Sequence, residues 1–364
     1  MAVEWDAGTA PRIAGVGIAN PKTVYRQQEI LDRYRIADPR VVSLFTSGNV
    51  DRRHLVLPDL DEHDDPIEET QGQLLAKHRT HGMALAAEAI HACLRDVGAD
   101  PADIDYLCCV TSTGFLTPGF SALLVNELGL RRDCHRVDVV GMGCNAGLNG
   151  LNPVAQWARC NPGGLAVMVC VEVCSAAYVF DGTMRTAVVN SLFGDGAAAV
   201  AVTARPGASA GSGAGAPAGP ALLKFASHLI PEAIEAMRYD WDNDRAKFSF
   251  YIDRDVPYVV GANAETVLGA LLADTPVRQN DISHWILHSG GKRVIDSVRV
   301  NLGLSAHDVR HTLSVLRDYG NLSSGSFLFS YQRLLAEGRT APGDHGVFMT
   351  MGPGSTIETA LLRW

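Results

Sequence analysis

Short apolar runs recur along this chain, separated by segments of mixed polarity and by glycine turns. Leu165–Val171 and Ala197–Val202 are almost wholly apolar, and Asp105–Val110, Trp285–Leu287 and Val347–Thr350 are shorter runs of the same kind. Runs of this length, bounded by turn residues, predict buried strands rather than half-exposed ones. Val137–Val140 reads the same way, and it leads into Gly141-Met142-Gly143-Cys144-Asn145-Ala146-Gly147, a tight turn that opens a helix. Strands alternating with helices predict, in each part of the chain, a sheet covered by helices.

The runs come twice in the same order. Asp105–Val110 is matched by His284–His288, and Glu127–Leu130 by Asn301–Leu304. The Cys144 turn is matched by Tyr319-Gly320-Asn321-Leu322-Ser323-Ser324-Gly325, Leu165–Val171 by Val347–Thr350, and Ala197–Val202 by Thr356–Leu362. Any alternating α/β chain shows some such parallels, but five in order predict a duplication. The expected fold is α/β, with layers of helix, sheet, helix, sheet and helix built from two duplicated halves. Ala204–Gly219, rich in Ala, Gly, Ser and Pro, predicts a surface loop. The expected division is residues 1–203 for the half with the cysteine, 204–220 for the loop, and 221–364 for the half with the histidine and asparagine.

Composition narrows the class. The 364 residues suffice for two ordinary domains, and 47% hydrophobic against 20% charged residues excludes a disordered chain. A net charge of −9 argues against nucleic-acid binding, which needs a basic face. Met1–Asp6 has neither the basic nor the apolar region of a secretion signal. The longest apolar stretch, Gly164–Phe180, is short for a membrane span and contains Glu172. No two of the eight cysteines are spaced C-x-x-C, so reduced thiols in a cytoplasmic protein are expected, with no metal site.

Three residues carry candidate chemistry. Cys144 opens a helix, where the dipole favours thiolate. His288 ends an apolar strand and enters Ser289-Gly290-Gly291, the kind of place where α/β active sites gather. Asn321 stands in the second half where Cys144 stands in the first. A Cys–His pair suits a cysteine protease or another acyl transferase. A protease needs an open cleft, whereas this cysteine sits in apolar, glycine-rich sequence that suits a small acyl group delivered as a thioester. Glu172 reads as a paired structural carboxylate. Asp195 reads as a turn residue bonded to its own backbone, and Gly352-Pro353-Gly354 as a loop shaping a cavity floor. For Phe193 and Phe250 the alternative to a cavity role is plain core packing.

Taken in order, the Cys144 turn, Leu192-Phe193-Gly194-Asp195-Gly196, His288-Ser289-Gly290-Gly291, Gly320-Asn321-Leu322-Ser323-Ser324 and Gly352-Pro353-Gly354-Ser355 resemble the type III polyketide synthases of the thiolase superfamily, over about Pro11 to Trp364. Within that family, Cys108–Gly119, Gly141–Asn149 and Met184–Ser191 are similar to the 3,5-dihydroxyphenylacetyl-CoA synthases of glycopeptide-antibiotic pathways. The resemblance implies Cys144 as acyl-accepting nucleophile, and His288 with Asn321 as the pair holding a thioester carbonyl during decarboxylation. It implies Phe193 and Phe250 as aromatics between a CoA tunnel and a cavity, with Thr117, Cys174, Ala177 and Ser323 in the cavity wall. For CoA it points to Arg52 and Arg53, and to Lys292 and Arg293 beside Gly290 and Gly291; either pair alternatively forms a solvated charge cluster.

The family resemblance also implies malonyl-CoA as substrate, no cofactor, a homodimer whose Leu116–Gly119 loop reaches the neighbouring cavity, and accessory dehydratase-type enzymes. Ser289 replaces the proline that plant relatives usually carry after the histidine, and Thr350-Met351 precede Gly352 where those relatives have Gly-Phe. These changes bear on starter choice, chain length and cyclisation. Four malonyl-CoA units closed into 3,5-dihydroxyphenylacetyl-CoA are the expected chemistry. Alternatives are another bacterial type III synthase such as a tetrahydroxynaphthalene synthase, ketoacyl synthase III, or an inactive scaffold relative. A degradative thiolase needs a second active-site cysteine, and no Cys follows Cys174.

Overall fold

The computed structural model describes residues 10–177, 179–204 and 219–364. Met1–Asp6 and most of the Ala/Gly/Pro-rich segment expected as a loop therefore lie outside the described residues. The first half runs β1 (Arg12–Ala19), β2 (Val24–Arg26), α1 (Gln27–Arg33), α2 (Pro39–Ser47), β3 (Arg52–His54), α3 (Gln71–Val97), β4 (Ile104–Thr111), α4 (Phe120–Glu127), β5 (His135–Val140), α5 (Ala146–Cys160), β6 (Leu165–Glu172), α6 (Met184–Leu192) and β7 (Gly196–Thr203). The second runs β8 (Ala221–Leu229), β9 (Met237–Asp242), β10 (Lys247–Ile252), α7 (Val256–Leu272), β11 (Ile282–Leu287), α8 (Lys292–Asn301), α9 (Arg310–Tyr319), α10 (Ser326–Glu337), β12 (His345–Gly352) and β13 (Thr356–Arg363).

The strand order is β11-β12-β13-β8-β1-β7-β6-β4-β5. It divides at β8 and β1, which pair only through Ala221 and Arg12. Read outward from that seam, β1-β7-β6-β4 and β8-β13-β12-β11 have the same order, so the duplication is present in the topology. Among the described residues the second half lacks a counterpart of β5; α9 stands in its place in the sequence, and Asn321 after it forms an isolated parallel bridge with Phe193.

Side chains alternate between two cores because successive residues of a strand point to opposite faces. On β6, Val167, Val169 and Val171 join the apolar cluster under α3, while Ala166, Met168 and Cys170 join the central cluster. On β12, Val347, Met349 and Met351 face α7 and α8, while Phe348 faces the centre. The central cluster takes Leu148, Leu151 and Val154 of α5 and Phe327, Leu328 and Tyr331 of α10, and both helices contact strands of both half-sheets. The layers are thus helix, sheet, helix, sheet and helix, as expected. With both faces covered, β6 and β7 are buried from end to end apart from Thr203, which explains their continuous apolar sequence.

β5 departs from expectation. It is the outer edge of its half-sheet and is half-exposed or exposed along its length, with Val140 and the following Met142 open to solvent. The run Val137–Val140 predicts burial, but His135, Arg136 and Asp138 of the same strand are polar and only one neighbour, β4, pairs with it. Among the described residues no helix is long and apolar enough to cross a membrane.

α5 meets the second half through Gly147, where a β-carbon would lie 2.3 Å from the Ser324 carbonyl oxygen. Gly269 on α7 has nothing within 4 Å of that position. Gly147→Ala is expected to lower stability by about 1–3 kcal/mol through overpacking, and Gly269→Ala to raise it by roughly 0.5–1 kcal/mol through helix propensity. Scanning calorimetry of the two variants checks both signs.

Candidate active site

Cys144 sits in a 3-10 turn, Gly143–Asn145, between β5 and α5. Gly143 has φ 77°, and a β-carbon there would lie 2.3 Å from Pro353 Cδ, so only glycine lets the Gly352–Gly354 loop of the second half close on the cysteine turn. His288 follows β11, and its backbone N–H donates to the Met349 carbonyl of β12 at 2.8 Å. Asn321 is fixed on both sides of its backbone: its N–H donates to the Leu192 carbonyl at 2.8 Å, and its carbonyl accepts from Gly194 N–H at 3.0 Å. Its side-chain Oδ1 accepts from Ser323 N–H at 2.8 Å, which makes Oδ1 the acceptor and leaves the amide Nδ2 as donor. Cys144, His288 and Asn321 are all buried and line one cavity.

That cavity, about 420 Å³, runs past Gly290, Gly291, Lys292 and Arg293. A second, about 430 Å³, is lined by Cys174, Ala177, Ser323, Tyr239 and the Pro353–Gly354 loop. Cys144, Phe193, Phe250 and Met237 belong to both. The Phe193 and Phe250 rings meet edge to face with centroids 6.0 Å apart. The two aromatics therefore stand with the cysteine where the cavities join.

Burial sets the protonation of the pair. It pushes the Cys144 thiol up to about 12, against the pull of hydrogen bonds from Ser323 and Asn321. It pushes the His288 imidazole down to about 3. Burial thus pulls both groups toward their neutral forms, against the expectation that the helix start favours thiolate.

Hydroxyl groups surround the thiol. Ser323 Oγ lies 3.4 Å from Cys144 Sγ and 2.7 Å from Ser112 Oγ. Ser112 donates from Oγ to Glu172 at 2.9 Å and from its backbone N–H at 3.0 Å, and Ser324 Oγ donates to the same carboxylate at 2.5 Å. Glu172 is fully buried, and burial raises its pKa. The partners of this paired carboxylate are serine donors. Ser112 and Ser324 were not legible as site residues, because a serine after a strand or in a turn is ordinary.

Other expectations need correction. Arg53 is fully buried; its guanidinium donates to Gln27 Oε1 at 2.8 Å and to the Phe193 carbonyl at 2.8 Å. It supports the backbone at Phe193 and does not line the cavity that holds His288 and Asn321. Arg52 points to a separate hollow and pairs with Asp318 at 3.6 Å. The cations at the cavity are instead Lys292, Arg293 and Arg254, and Lys292 also pairs with Asp296. Arg254 was overlooked because its neighbours, Asp253 and Asp255, mask it in sequence. Thr117 is exposed on its loop and lines neither cavity. Asp195 accepts from Val56 N–H and from Ser175 N–H and Oγ, tying together distant segments rather than its own turn, and burial lifts it to about 6. All eight cysteines are free thiols, seven buried and Cys160 exposed. Among the described residues no three His, Cys, Asp or Glu side chains gather as metal ligands.

Comparisons with known proteins agree along the whole chain. The family described as chalcone and stilbene synthases, C-terminal domain, matches residues 222–364, and the FAE1/type III polyketide synthase-like protein family matches residues 64–213. A 3,5-dihydroxyphenylacetyl-CoA synthase of Streptomyces toyocaensis is 61% identical over 97% of this chain and 90% of its own length. A 1,3,6,8-tetrahydroxynaphthalene synthase of Streptomyces peucetius subsp. caesius is 35% identical over 99% of this chain and 94% of its own. The crystal structure of PKS-I from the brown alga Ectocarpus siliculosus superposes with a TM-score of 0.88 at 25% identity, covering 97% of this chain and 98% of that one.

With a raised thiol pKa, alkylation of Cys144 by iodoacetamide should accelerate about tenfold per pH unit between about pH 6 and 10. Peptide mass spectrometry follows the rate. A plateau near neutral pH would mean a preformed thiolate.

Proposed function

The chain belongs to the type III polyketide synthases, and we propose that it builds 3,5-dihydroxyphenylacetyl-CoA from four malonyl-CoA units. The two halves, divided at the 204–220 segment, supply one catalytic unit: the nucleophile comes from the first, the imidazole and the carboxamide from the second. The observation that carries the reading is the junction of two cavities at Cys144, with His288 and Asn321 on the side lined by Lys292 and Arg293.

In loading, Cys144 gives its proton to His288 Nε2 and attacks the thioester carbon, and the C–S bond to CoA breaks. CoA leaves as thiolate through the outer cavity, where Lys292, Arg293 and Arg254 suit its phosphates and Gly290 and Gly291 leave room beside them. The proton stays on Nε2, with the carboxylate of the next malonyl group as counter-charge. Loss of CO2 then places charge on the thioester oxygen, which Asn321 Nδ2–H and His288 Nε2–H receive. The carbanion attacks the acyl group on Cys144, and the released sulfur takes back its proton from Nε2. Preorganised donors in a dry site stabilise such an enolate far better than water does. No cofactor enters this sequence of steps.

Three extensions of a decarboxylated malonyl starter give eight carbons. They fill the inner cavity walled by Cys174, Ala177 and Ser323. A C–C closure and loss of water complete the ring, with dehydratase-type accessory enzymes assisting aromatisation. The product assignment rests on the gap between 61% and 35% identity to synthases of the two products. We further place the enzyme in the cytoplasm as a homodimer. There the exposed Leu116–Gly119 loop, with Thr117, is poised to reach a neighbouring subunit.

Incubating purified protein with malonyl-CoA alone should yield 3,5-dihydroxyphenylacetyl-CoA or its acid by mass spectrometry. A pentaketide naphthalene would contradict the product. Cys144→Ala should abolish condensation, and Asn321→Ala should slow CO2 release by about 10²–10³-fold; an unchanged rate in the latter would remove Asn321 from its role.

A further inference from the structure

The end of α6 is closed by side chains from elsewhere in the chain. A helix leaves its final carbonyls without partners inside the helix. Here three consecutive carbonyls are taken up one by one. Ser191 accepts from Gln27 Nε2 at 2.7 Å, Leu192 from the Asn321 N–H at 2.8 Å, and Phe193 from Arg53 Nη1 at 2.8 Å. Gln27 opens α1, and Arg53 is the middle residue of β3. The two are joined, since Arg53 Nε and Nη2 both donate to Gln27 Oε1, at 3.2 and 2.8 Å. One fork therefore grips the carbonyls on either side of the one that Asn321 uses. α6 has no basic residue in its last turn, and the guanidinium supplies the positive charge that a helix C-terminus favours.

The fork also packs against the turn that carries Asn321. A β-carbon on Gly320 would lie 2.3 Å from the Leu192 carbonyl oxygen and 3.0 Å from Arg53 Cδ, and one on Gly194 would lie 2.2 Å from the Tyr319 carbonyl oxygen. The Arg53 stem thus lies under Gly320 while its head holds Phe193. Arg53 and Gln27 line neither cavity at Cys144.

We propose that Arg53 and Gln27 are positioning residues for decarboxylation: by capping α6 they fix the Leu192 carbonyl, and through it the place of Asn321 beside the thioester. This role rests on the reading of Asn321 as a donor to the enolate oxygen. If the Phe193–Gly194 peptide turns, its carbonyl leaves Arg53 and its N–H leaves the Asn321 carbonyl in the same movement. The Asn321 backbone is therefore held on both sides only while the fork is whole. A lysine cannot replace the arginine, because one ammonium lacks the planar fork that meets Gln27 and the Phe193 carbonyl together.

Arg53→Lys keeps the charge and removes the fork. Gln27→Ala releases Ser191 at a site that borders the hollow beside Arg52, where water can enter. Hydrogen exchange of the free protein, read by peptide mass spectrometry, should show the Asn321 amide exchanging about tenfold faster in Arg53→Lys, and faster by a smaller factor in Gln27→Ala, while amides of β6 keep the wild-type rate. CO2 release from malonyl-CoA should slow by about tenfold in kcat with KM unchanged in Arg53→Lys, and Arg53→Lys added to Asn321→Ala should slow it no further. Unchanged exchange at Asn321 in a folded Arg53→Lys overturns the proposal; if that variant does not fold, unchanged exchange in Gln27→Ala does. Exchange that rises equally in β6, full additivity with Asn321→Ala, or failure of both variants to fold also overturns it, because each marks a purely structural fork. Wild-type CO2 release in Asn321→Ala would contradict the reading of Asn321 instead, and the exchange measurement, which uses no substrate, still judges the fork.

Discussion

Asn321 and Phe193 come from different halves of the chain, yet they share a backbone seam. Leu192 and Gly194 hold the Asn321 peptide on both sides, and Arg53 supports the Phe193 carbonyl from behind. The rest of the site takes its geometry from this seam. It sets the carboxamide beside the thiol, and it sets the gate aromatic between the two cavities. A buried guanidinium is expensive to desolvate and repays that cost only when its donors are met. Placing one here, on Gln27 and a gate carbonyl, makes the position of Phe193 hard to shift.

Dryness is the second constraint, and it follows from the layered packing. The turns that carry Cys144 and Ser323 begin the two central helices, so they lie where both half-sheets close. Charge is costly there. Burial favours the neutral thiol and the neutral imidazole, Glu172 is surrounded by hydroxyl and amide donors, and the cations stand on the cavity walls, Lys292, Arg293 and Arg254 on the outer one and Arg238 on the inner one. Such a site resists forming charge until a substrate brings its own. In the proposed reaction a malonyl carboxylate or a departing CoA thiolate would supply that charge, and the oriented amide and imidazole would receive the enolate that follows.

Much of this was legible in the chain. The paired runs foretold the repeated strand order, because a strand covered on both faces must be apolar throughout. Cys144, His288 and Asn321 stood out through the turns and strand ends that carry them. Legibility failed where a role depends on a distant neighbour. Arg53 looks like a surface cation beside Arg52, and only the fold shows one buried and the other exposed. Asp195 looks like a local turn residue but joins Val56 to Ser175. Val137–Val140 of β5 reads as a buried run, yet it follows His135 and Arg136 and lies at the edge of the sheet. Ser112 and Ser324 matter through hydrogen bonds to Glu172 that no spacing encodes.

The central claim is that one thioester lies between groups from both halves, at the junction of two cavities. A crystal structure of Cys144→Ala with malonyl-CoA bound tests it most directly. The account expects the thioester oxygen between His288 Nε2 and Asn321 Nδ2, with the pantetheine arm in the outer cavity and the phosphates near Lys292, Arg293 and Arg254. A thioester seated away from both donors, or an arm entering through the inner cavity, would contradict it.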